Sequence, residues 1–253
     1  MSSPELPPPR QPHAAAPPNP PSVPAPNQDL LTWFPYAAPM LVFLVLTQLE
    51  SWFVTPEGQP DPDRYPWLYT GKLLAVGITL FLCRSTWRDY RPLPSLGALA
   101  AAIAVGLTVA TLWVGLDGLY PIPSWMGTRS SFDPEVLDPT SMVAFITVRL
   151  IGLALIVPFF EELFWRSLVV RFVIDPDDFT RVPVGRMSLN AALVSTALFA
   201  AAHPEWLPAL ITGLLWAGLL DRTGSLSACL VSHVVANLAL GCYVVATGSW
   251  HFW

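Results

Sequence analysis

The chain has 253 residues, of which 53% are hydrophobic and only 12% are charged, and its formal net charge is −5. The acidic balance and the absence of a basic cluster in the sequence exclude nucleic acid as a partner. The apolar residues are concentrated in runs close to or above the ~20 residues that a helix needs to cross a bilayer. We therefore expect an all-α, multi-pass membrane protein, with the lipid bilayer as its surroundings.

The first 30 residues differ from the rest of the chain. Eleven of the first 28 residues are Pro, and most of the others are small or polar. Such a segment buries too little apolar area to fold, and it lacks the apolar core of a signal peptide. We predict a disordered Pro-rich tail over residues 1–30 and a membrane-embedded helical domain over residues 31–253.

Apolar runs then follow one another along the chain. They cover approximately residues 35–54, 66–83, 95–116, 140–172, 188–203, 206–220 and 226–246. The third run is rich in Ala and Gly, which suits close helix packing in a membrane. The fifth and sixth, of ~16 residues each, are short for a span and can instead form a re-entrant hairpin. The pattern predicts a bundle of about seven to eight transmembrane helices.

The loops between these runs differ in positive charge. Arg64 and Arg129 lie on one predicted side. The opposite side carries Arg84, Arg88, Arg91, Arg171, Arg181, Arg186 and Arg222. Because positively charged loops favour the cytoplasm, we predict a protein of the cytoplasmic membrane with its N-terminus inside the cell.

The fourth run contains two glutamates and an arginine among apolar residues. Charges inside an apolar helix are costly to bury, so a functional site is the default interpretation, and an ion-pair cluster that only fixes packing is the alternative. Glu162 and Arg166 are four residues apart and share a helix face, with the acid on the favourable N-terminal side. Glu161 is turned about 100° away. Its carboxylate is predicted to need a partner on another helix, and His203 is the candidate.

Two further polar pairs have the same spacing. Phe199 and His203 belong to the fifth run, and His233 and Asn237 to the seventh. A single His in an apolar helix is most often a satisfied core residue, and a single Asn is usually an interhelical hydrogen-bonding group. Together with the acidic pair, however, these residues supply a base, its partner and two hydrogen-bond donors.

The three motifs resemble those of a known protein family. In chain order they are Glu161-Glu162-x-x-x-Arg166, Phe199-x-x-x-His203 and His233-x-x-x-Asn237. Their order on separate apolar helices resembles the signature of the CPBP family, the CAAX-protease and bacteriocin-processing membrane proteins that are also called the ABI family. The resemblance covers about residues 140–246. Residues 36–46, 69–93 and 113–117 are also similar to a bacterial subgroup found with exosortase sorting systems.

The resemblance implies an intramembrane glutamic endopeptidase that needs neither a metal nor another cofactor. By motif position, Glu161 and His203 would activate a water molecule. His233 and Asn237 would hold the oxyanion of the tetrahedral intermediate. The implied substrate is a membrane-embedded or lipid-linked polypeptide.

The remaining motif residues, Glu162, Arg166 and Phe199, would support the site. Elementary chemistry agrees with a catalytic role, because peptide hydrolysis needs a general base and donors directed at the developing negative charge.

Two alternatives remain open at this stage. Two Glu and two His are plausible zinc ligands, although the His-Glu-x-x-His motif is missing. A non-catalytic scaffold, an immunity protein or a small-solute carrier would use the same polar residues for packing or transport.

The predicted depths of the motifs in the membrane also disagree. If the fourth helix enters at Thr140, Glu161 lies about 30 Å further along it, near the cytoplasmic face. His203 and His233 are expected about 20 Å and about 10 Å from that face.

Overall fold

A computed structural model describes residues 26–56, 58–126 and 131–253, and within these ranges it contains helices and no β-strand. The main helices are α1 (Pro26–Glu50), α2 (Tyr65–Leu82), α3 (Leu96–Gly115), α4 (Pro139–Ile174), α5 (Leu189–Ala201), α6 (Trp206–Thr223) and α7 (Leu226–Thr247). Each of the predicted apolar runs forms one of these helices. The all-α prediction is confirmed.

The prediction of seven to eight transmembrane helices is not confirmed. In the described part of the chain, α3, α4, α7 and the Thr32–Glu50 part of α1 are long and apolar enough to cross a membrane. A fifth span is formed if α2 is counted together with the 3-10 helix Arg84–Tyr90, which is bent from it by 79°. The α5 helix has only 13 residues. Such a length is below the ~20 residues that a straight span requires.

The predicted tail falls mostly outside the described residues. Nothing is described for residues 1–25, whereas residues 26–30 form the beginning of α1 and not part of a tail. The Arg129 loop, on which part of the orientation argument rests, also lies outside the described residues.

Small residues let two helix pairs approach closely. The α3 helix packs extensively against α7, where Gly106 lies so near the Ser232 carbonyl that no side chain would fit. The α5 and α6 helices pack against each other in the same way, because a Cβ atom on Gly213 would lie 2.8 Å from the Thr196 side chain. These contacts fix the helices that carry the second and third motifs.

A closed cluster of buried charges anchors the segment after α2 to α4. Asp89 Oδ2 accepts hydrogen bonds from Ser167 Oγ at 2.6 Å and from Arg171 Nη2 at 2.7 Å. The Arg171 Nε donates to the Ser167 carbonyl at 2.7 Å, and its guanidinium lies over the rings of Tyr36 and Phe179. The buried ion pair is thus compensated both by hydrogen bonds and by aromatic faces.

Candidate active site

The helices enclose a cavity of about 630 Å³ that receives side chains from all seven main helices. Glu161, His203, His233 and Asn237 all line it. The predicted disagreement in depth therefore does not keep these residues apart. One reason is that α5 ends at Ala201, so that the turn beyond it, and not the helix itself, carries His203 to the cavity.

The α4 helix contains two π-helical stretches, Gly152–Ile156 and Leu163–Val169, on either side of the acidic pair. Such stretches are rare in proteins and are frequent at functional sites. In the first, the Val157 N–H donates to the Gly152 carbonyl, five residues back. Pro158 follows and has no N–H to donate. The Leu153 carbonyl is therefore left without the helical partners that would normally satisfy it.

The Asn237 side chain provides the missing hydrogen-bond donor for the Leu153 carbonyl. Its Nδ2 donates to the Leu153 carbonyl at 2.8 Å, which joins α7 to α4. A carboxamide nitrogen carries two hydrogens, so the second N–H remains available to a ligand in the cavity. Pro158 and Asn237 together explain why the π stretch is tolerated here.

Glu162 is fully buried and bonds to two motif residues. Its Oε1 accepts from Arg166 Nη1 at 3.4 Å and from His233 Nδ1 at 2.8 Å. Because a carboxylate only accepts, His233 must carry its hydrogen on Nδ1. Glu162 therefore links the first motif to the third and fixes the orientation of the His233 ring.

An aromatic platform, formed by Phe199 and Trp216, packs against Arg166 and His233. The Arg166 guanidinium carbon lies 4.7 Å from the ring centroids of both Phe199 and Trp216. The His233 ring also packs on Trp216, with 4.3 Å between centroids. The Trp216 Nε1 is held in turn by Ser232 Oγ at 2.9 Å. The structure thus places Phe199 next to Arg166 and adds Trp216, which no motif indicated.

His203 has a defined tautomer because of its local contact. Its Nδ1 lies 2.7 Å from the Phe199 carbonyl, which can only accept, so Nδ1 carries the hydrogen. The ring packs against the Phe199 ring at 4.4 Å and against the edge of Trp113 at 5.9 Å. In the neutral ring, Nε2 then carries the lone pair that a base requires.

Glu161 contrasts with its neighbour. Its side chain is 9% exposed and lines the cavity, yet within the described residues it forms no hydrogen bond and no ion pair. No hydrogen bond joins it to His203, so the pairing of these two residues stays a prediction. A buried carboxylate without a partner is costly and requires an explanation.

The described residues contain no group of three or more His, Cys, Asp and Glu side chains placed to hold a metal ion. Of the two Glu and two His that the sequence offered, Glu161, His203 and His233 line the cavity without forming such a group, and Glu162 does not line it. Metal independence itself stays a prediction.

Comparison with known proteins bears on the same region. Residues 143–239 match the family model described as Type II CAAX prenyl endopeptidase Rce1-like. The matched segment runs from α4 to α7 and includes all three motifs. The predicted resemblance to the CAAX-protease family is confirmed for this segment. No curated protein and no solved structure matches the chain. The resemblance to an exosortase-associated subgroup stays a prediction.

Charged residues at the other end of the cavity were missed as site residues. The cavity that Glu161, His203 and His233 line also receives Glu50, Lys72 and Arg149. The signal that singled out Glu161, a charge inside an apolar run, was present at Lys72 and Arg149 as well. Their convergence was not visible because they belong to three different helices.

Proposed function

We propose that this protein is an intramembrane endopeptidase that hydrolyses a peptide bond of a membrane-embedded or lipid-linked polypeptide. The observation that carries the proposal is Glu161, a buried carboxylate without a partner among the described residues, in a cavity shared with His203, His233 and Asn237. The match of residues 143–239 to the Rce1-like family model supports peptidase chemistry for this cavity.

In the proposed reaction, Glu161 and His203 hold a water molecule and remove its proton as the water oxygen attacks the peptide carbonyl carbon. A general base at this step typically accelerates hydrolysis by about 10²–10⁴-fold. The tetrahedral intermediate collapses when the C–N bond breaks and the leaving nitrogen receives the proton. The products are a new carboxylate and a new amine, and no covalent enzyme intermediate forms.

The negative charge on the carbonyl oxygen requires donors. Asn237 supplies the N–H that the Leu153 carbonyl leaves unused. His233 supplies Nε2–H in its imidazolium form, in which both ring nitrogens carry hydrogen. The Glu162 carboxylate at Nδ1 is then the counter-charge that an imidazolium needs in apolar surroundings. Glu162 and Arg166 are thus assigned a positioning role.

The orientation of the chain belongs to the same proposal. We place the N-terminus and the loop after α2 in the cytoplasm, because arginines are concentrated on that set of loops. Reporter fusions at Arg88 and Arg129 should lie on opposite sides, with Arg88 cytoplasmic. The reverse pattern would overturn the orientation, and two fusions on one side would overturn the helix count.

The proposed activity is tested by the polypeptides that it processes. In a strain that lacks the gene, uncleaved membrane-anchored polypeptides should accumulate and be identified by mass spectrometry. The wild-type gene should remove them, and a Glu161→Gln gene expressed at the same level in the membrane should not. Full restoration by Glu161→Gln would show that the protein acts as a non-catalytic scaffold.

A further inference from the structure

The short 3-10 helix after α2, together with the residue that follows it, carries three exposed arginines that the proposed hydrolysis does not use. Arg84, Arg88 and Arg91 are exposed, whereas Thr86 and Asp89 are buried. The helix therefore packs one side against the protein and presents a cationic side to its surroundings.

The positive charge of this segment is not balanced locally. Within the described residues, Arg84 and Arg91 form no ion pair. Arg88 is 76% exposed, and its Nε lies 3.8 Å from Asp89 Oδ1. Because the other oxygen of Asp89 is paired with the buried Arg171 at 2.7 Å, the segment keeps a positive excess.

The other loops on the same predicted side lack this excess. Residues 175–186 contain three aspartates and two arginines, and Asp221 directly precedes Arg222 at the end of α6. Arg181 is moreover paired with Asp178 at 3.0 Å. The positive excess on this side is thus concentrated on the 3-10 helix.

Exposed apolar side chains flank the arginines along the chain. Phe81 and Leu82 precede the 3-10 helix, Leu93 and Leu96 follow it, and all four are mostly exposed. The helix is bent from α2 by 79°, so a membrane-crossing α2 places it along the membrane surface. Arginines next to exposed apolar side chains in this position are typical of a segment that lies in the membrane interface.

The same 3-10 helix contacts both helices that carry proposed catalytic residues. The Tyr90 hydroxyl donates to the Phe159 carbonyl at 2.6 Å, two residues before Glu161 in α4, and the two rings pack with 4.7 Å between centroids. The Tyr90 carbonyl accepts from Ser227 Oγ at the start of α7. Through Tyr90, the position of the 3-10 helix is therefore coupled to the turn that contains Glu161.

We propose that Arg84, Arg88 and Arg91, the arginine surface, bind the headgroups of anionic phospholipids, and that this contact holds Tyr90 against the turn that contains Glu161. Anionic headgroups fit because arginines near an anionic membrane surface are attracted to it, and guanidinium N–H groups match phosphate oxygens. The exposed apolar neighbours fit the acyl chains, which a soluble phosphate lacks. Only the consequence for catalysis rests on the proposed function.

Lipid binding is measured on the full-length wild-type protein by native mass spectrometry. The detergent-solubilised protein is mixed with equal amounts of phosphatidylglycerol and phosphatidylcholine, and the lipid adducts are counted. We expect about fivefold more phosphatidylglycerol adducts, the effect of one arginine near an anionic surface. Equal numbers of both adducts would overturn the lipid site, and so would displacement of the lipid by an equal concentration of soluble glycerol phosphate.

Matched variants assign the lipid preference to the arginine surface. Replacing its three arginines together with Gln should abolish the preference, and replacing them with Lys should keep most of it, because the charge is retained. The control replaces Arg181, Arg186 and Arg222 with Gln, which changes the net charge equally and should leave the preference intact. Persistence of the preference in the first variant, or an equal loss in the control, would contradict the assignment.

Hydrogen exchange tests the contact with the Glu161 turn and does not depend on cleavage. In nanodiscs, the backbone amides of residues 159–166 should exchange more slowly in phosphatidylglycerol than in phosphatidylcholine, by up to about fivefold. Tyr90→Phe keeps the ring without the hydroxyl, so it should bind phosphatidylglycerol normally and lose this slowing. Equal exchange of the wild-type protein in both lipids, or slowing that persists in Tyr90→Phe, would overturn the coupling. A protein that passes these tests but never cleaves a peptide would refute the proposed hydrolysis alone.

Discussion

Two groups of buried charges on α4 differ in how completely they are paired. Near the end of the helix, Arg171 and Asp89 of the preceding 3-10 helix are joined by a 2.7 Å ion pair, with Ser167 between them. Neither of these two charged residues lines the cavity that contains Glu161. Along the cavity, Glu161 and Arg149 form no ion pair among the described residues. Burial is similar in both groups, so burial alone does not identify function. The missing partner, in a space large enough for a ligand, separates a binding or catalytic charge from a structural one.

Glu162 lies between these two cases. It is paired with Arg166 and His233, but its Oε2 is buried without a partner. Its Oε1 joins α4 to α7 through the hydrogen bond with His233, and the His233 ring lines the cavity. Substitutions whose effects on stability and on activity differ therefore test this distinction between paired and unpaired charges.

The largest effect is expected at His203. Replacing it with Ala removes the proposed partner of the base and should lower the cleavage rate by about 10²–10⁴-fold. The melting temperature should change little, because the Phe199 carbonyl that accepts from His203 Nδ1 also accepts from the Ala202 N–H. Cleavage assays and thermal unfolding on the same preparation check this, and normal cleavage would remove His203 from the mechanism.

In the closed cluster of Asp89, Ser167 and Arg171, we expect a substitution to lower stability and to leave activity unchanged. Arg171→Ala removes the buried partner of Asp89 and leaves it with Ser167 and the exposed Arg88. This loss should lower the free energy of unfolding by about 3 kcal/mol. The cleavage rate per folded molecule should be unchanged. Arg181→Ala is the matched control, since the Arg181–Asp178 pair is exposed and should contribute about 1 kcal/mol or less. Equal stability of the two variants in denaturant titrations would contradict this difference between closed and exposed pairs.

A smaller loss of rate is expected for Asn237→Ala. It removes one donor to the oxyanion and leaves the base in place, so we expect a decrease of about 10²–10³-fold and more residual activity than in His203→Ala. The Leu153 carbonyl also loses its partner, which should cost about 1–3 kcal/mol of stability. A rate below that of His203→Ala, measured under single-turnover conditions, would show that Asn237 does more than donate one hydrogen bond.

No effect is expected from metal removal. The proposed base and donors are side chains, so cleavage should be unchanged in chelator, and elemental analysis of the purified protein should show no stoichiometric metal. One tightly held ion per chain, with activity lost on its removal and restored on its return, would replace the water-activation step by metal chemistry.

Hydrophobic patterning was sufficient to predict the helices, and the i, i+4 spacing was sufficient to predict the Glu162–Arg166 pair. The apolar runs and the i, i+4 pairs are local properties of the chain, and local geometry determines them. The number of spans was harder to predict, because hydropathy does not distinguish a short helix that packs inside the protein from one that crosses the bilayer.

Other features depend on contacts between distant parts of the chain. The ion pair of Glu50 with Lys72 and the platform of Trp216 under Arg166 join different helices. The π stretch at Gly152 requires both a local cause, Pro158, and a distant one, Asn237. Because each feature needs the fold before its partners meet, spacing in the sequence carries no signal for it.

The two adjacent glutamates provide the most direct test. Glu161→Gln and Glu162→Gln should be purified together and compared by melting temperature and by the rate of peptide cleavage. Glu161→Gln is nearly isosteric, so we predict a wild-type melting temperature with almost no cleavage. Glu162→Gln removes the charge that pairs with Arg166 and His233, and we predict a lower melting temperature as well as lower activity. Normal cleavage by Glu161→Gln, together with a stable and inactive Glu162→Gln, would show that the two roles are reversed.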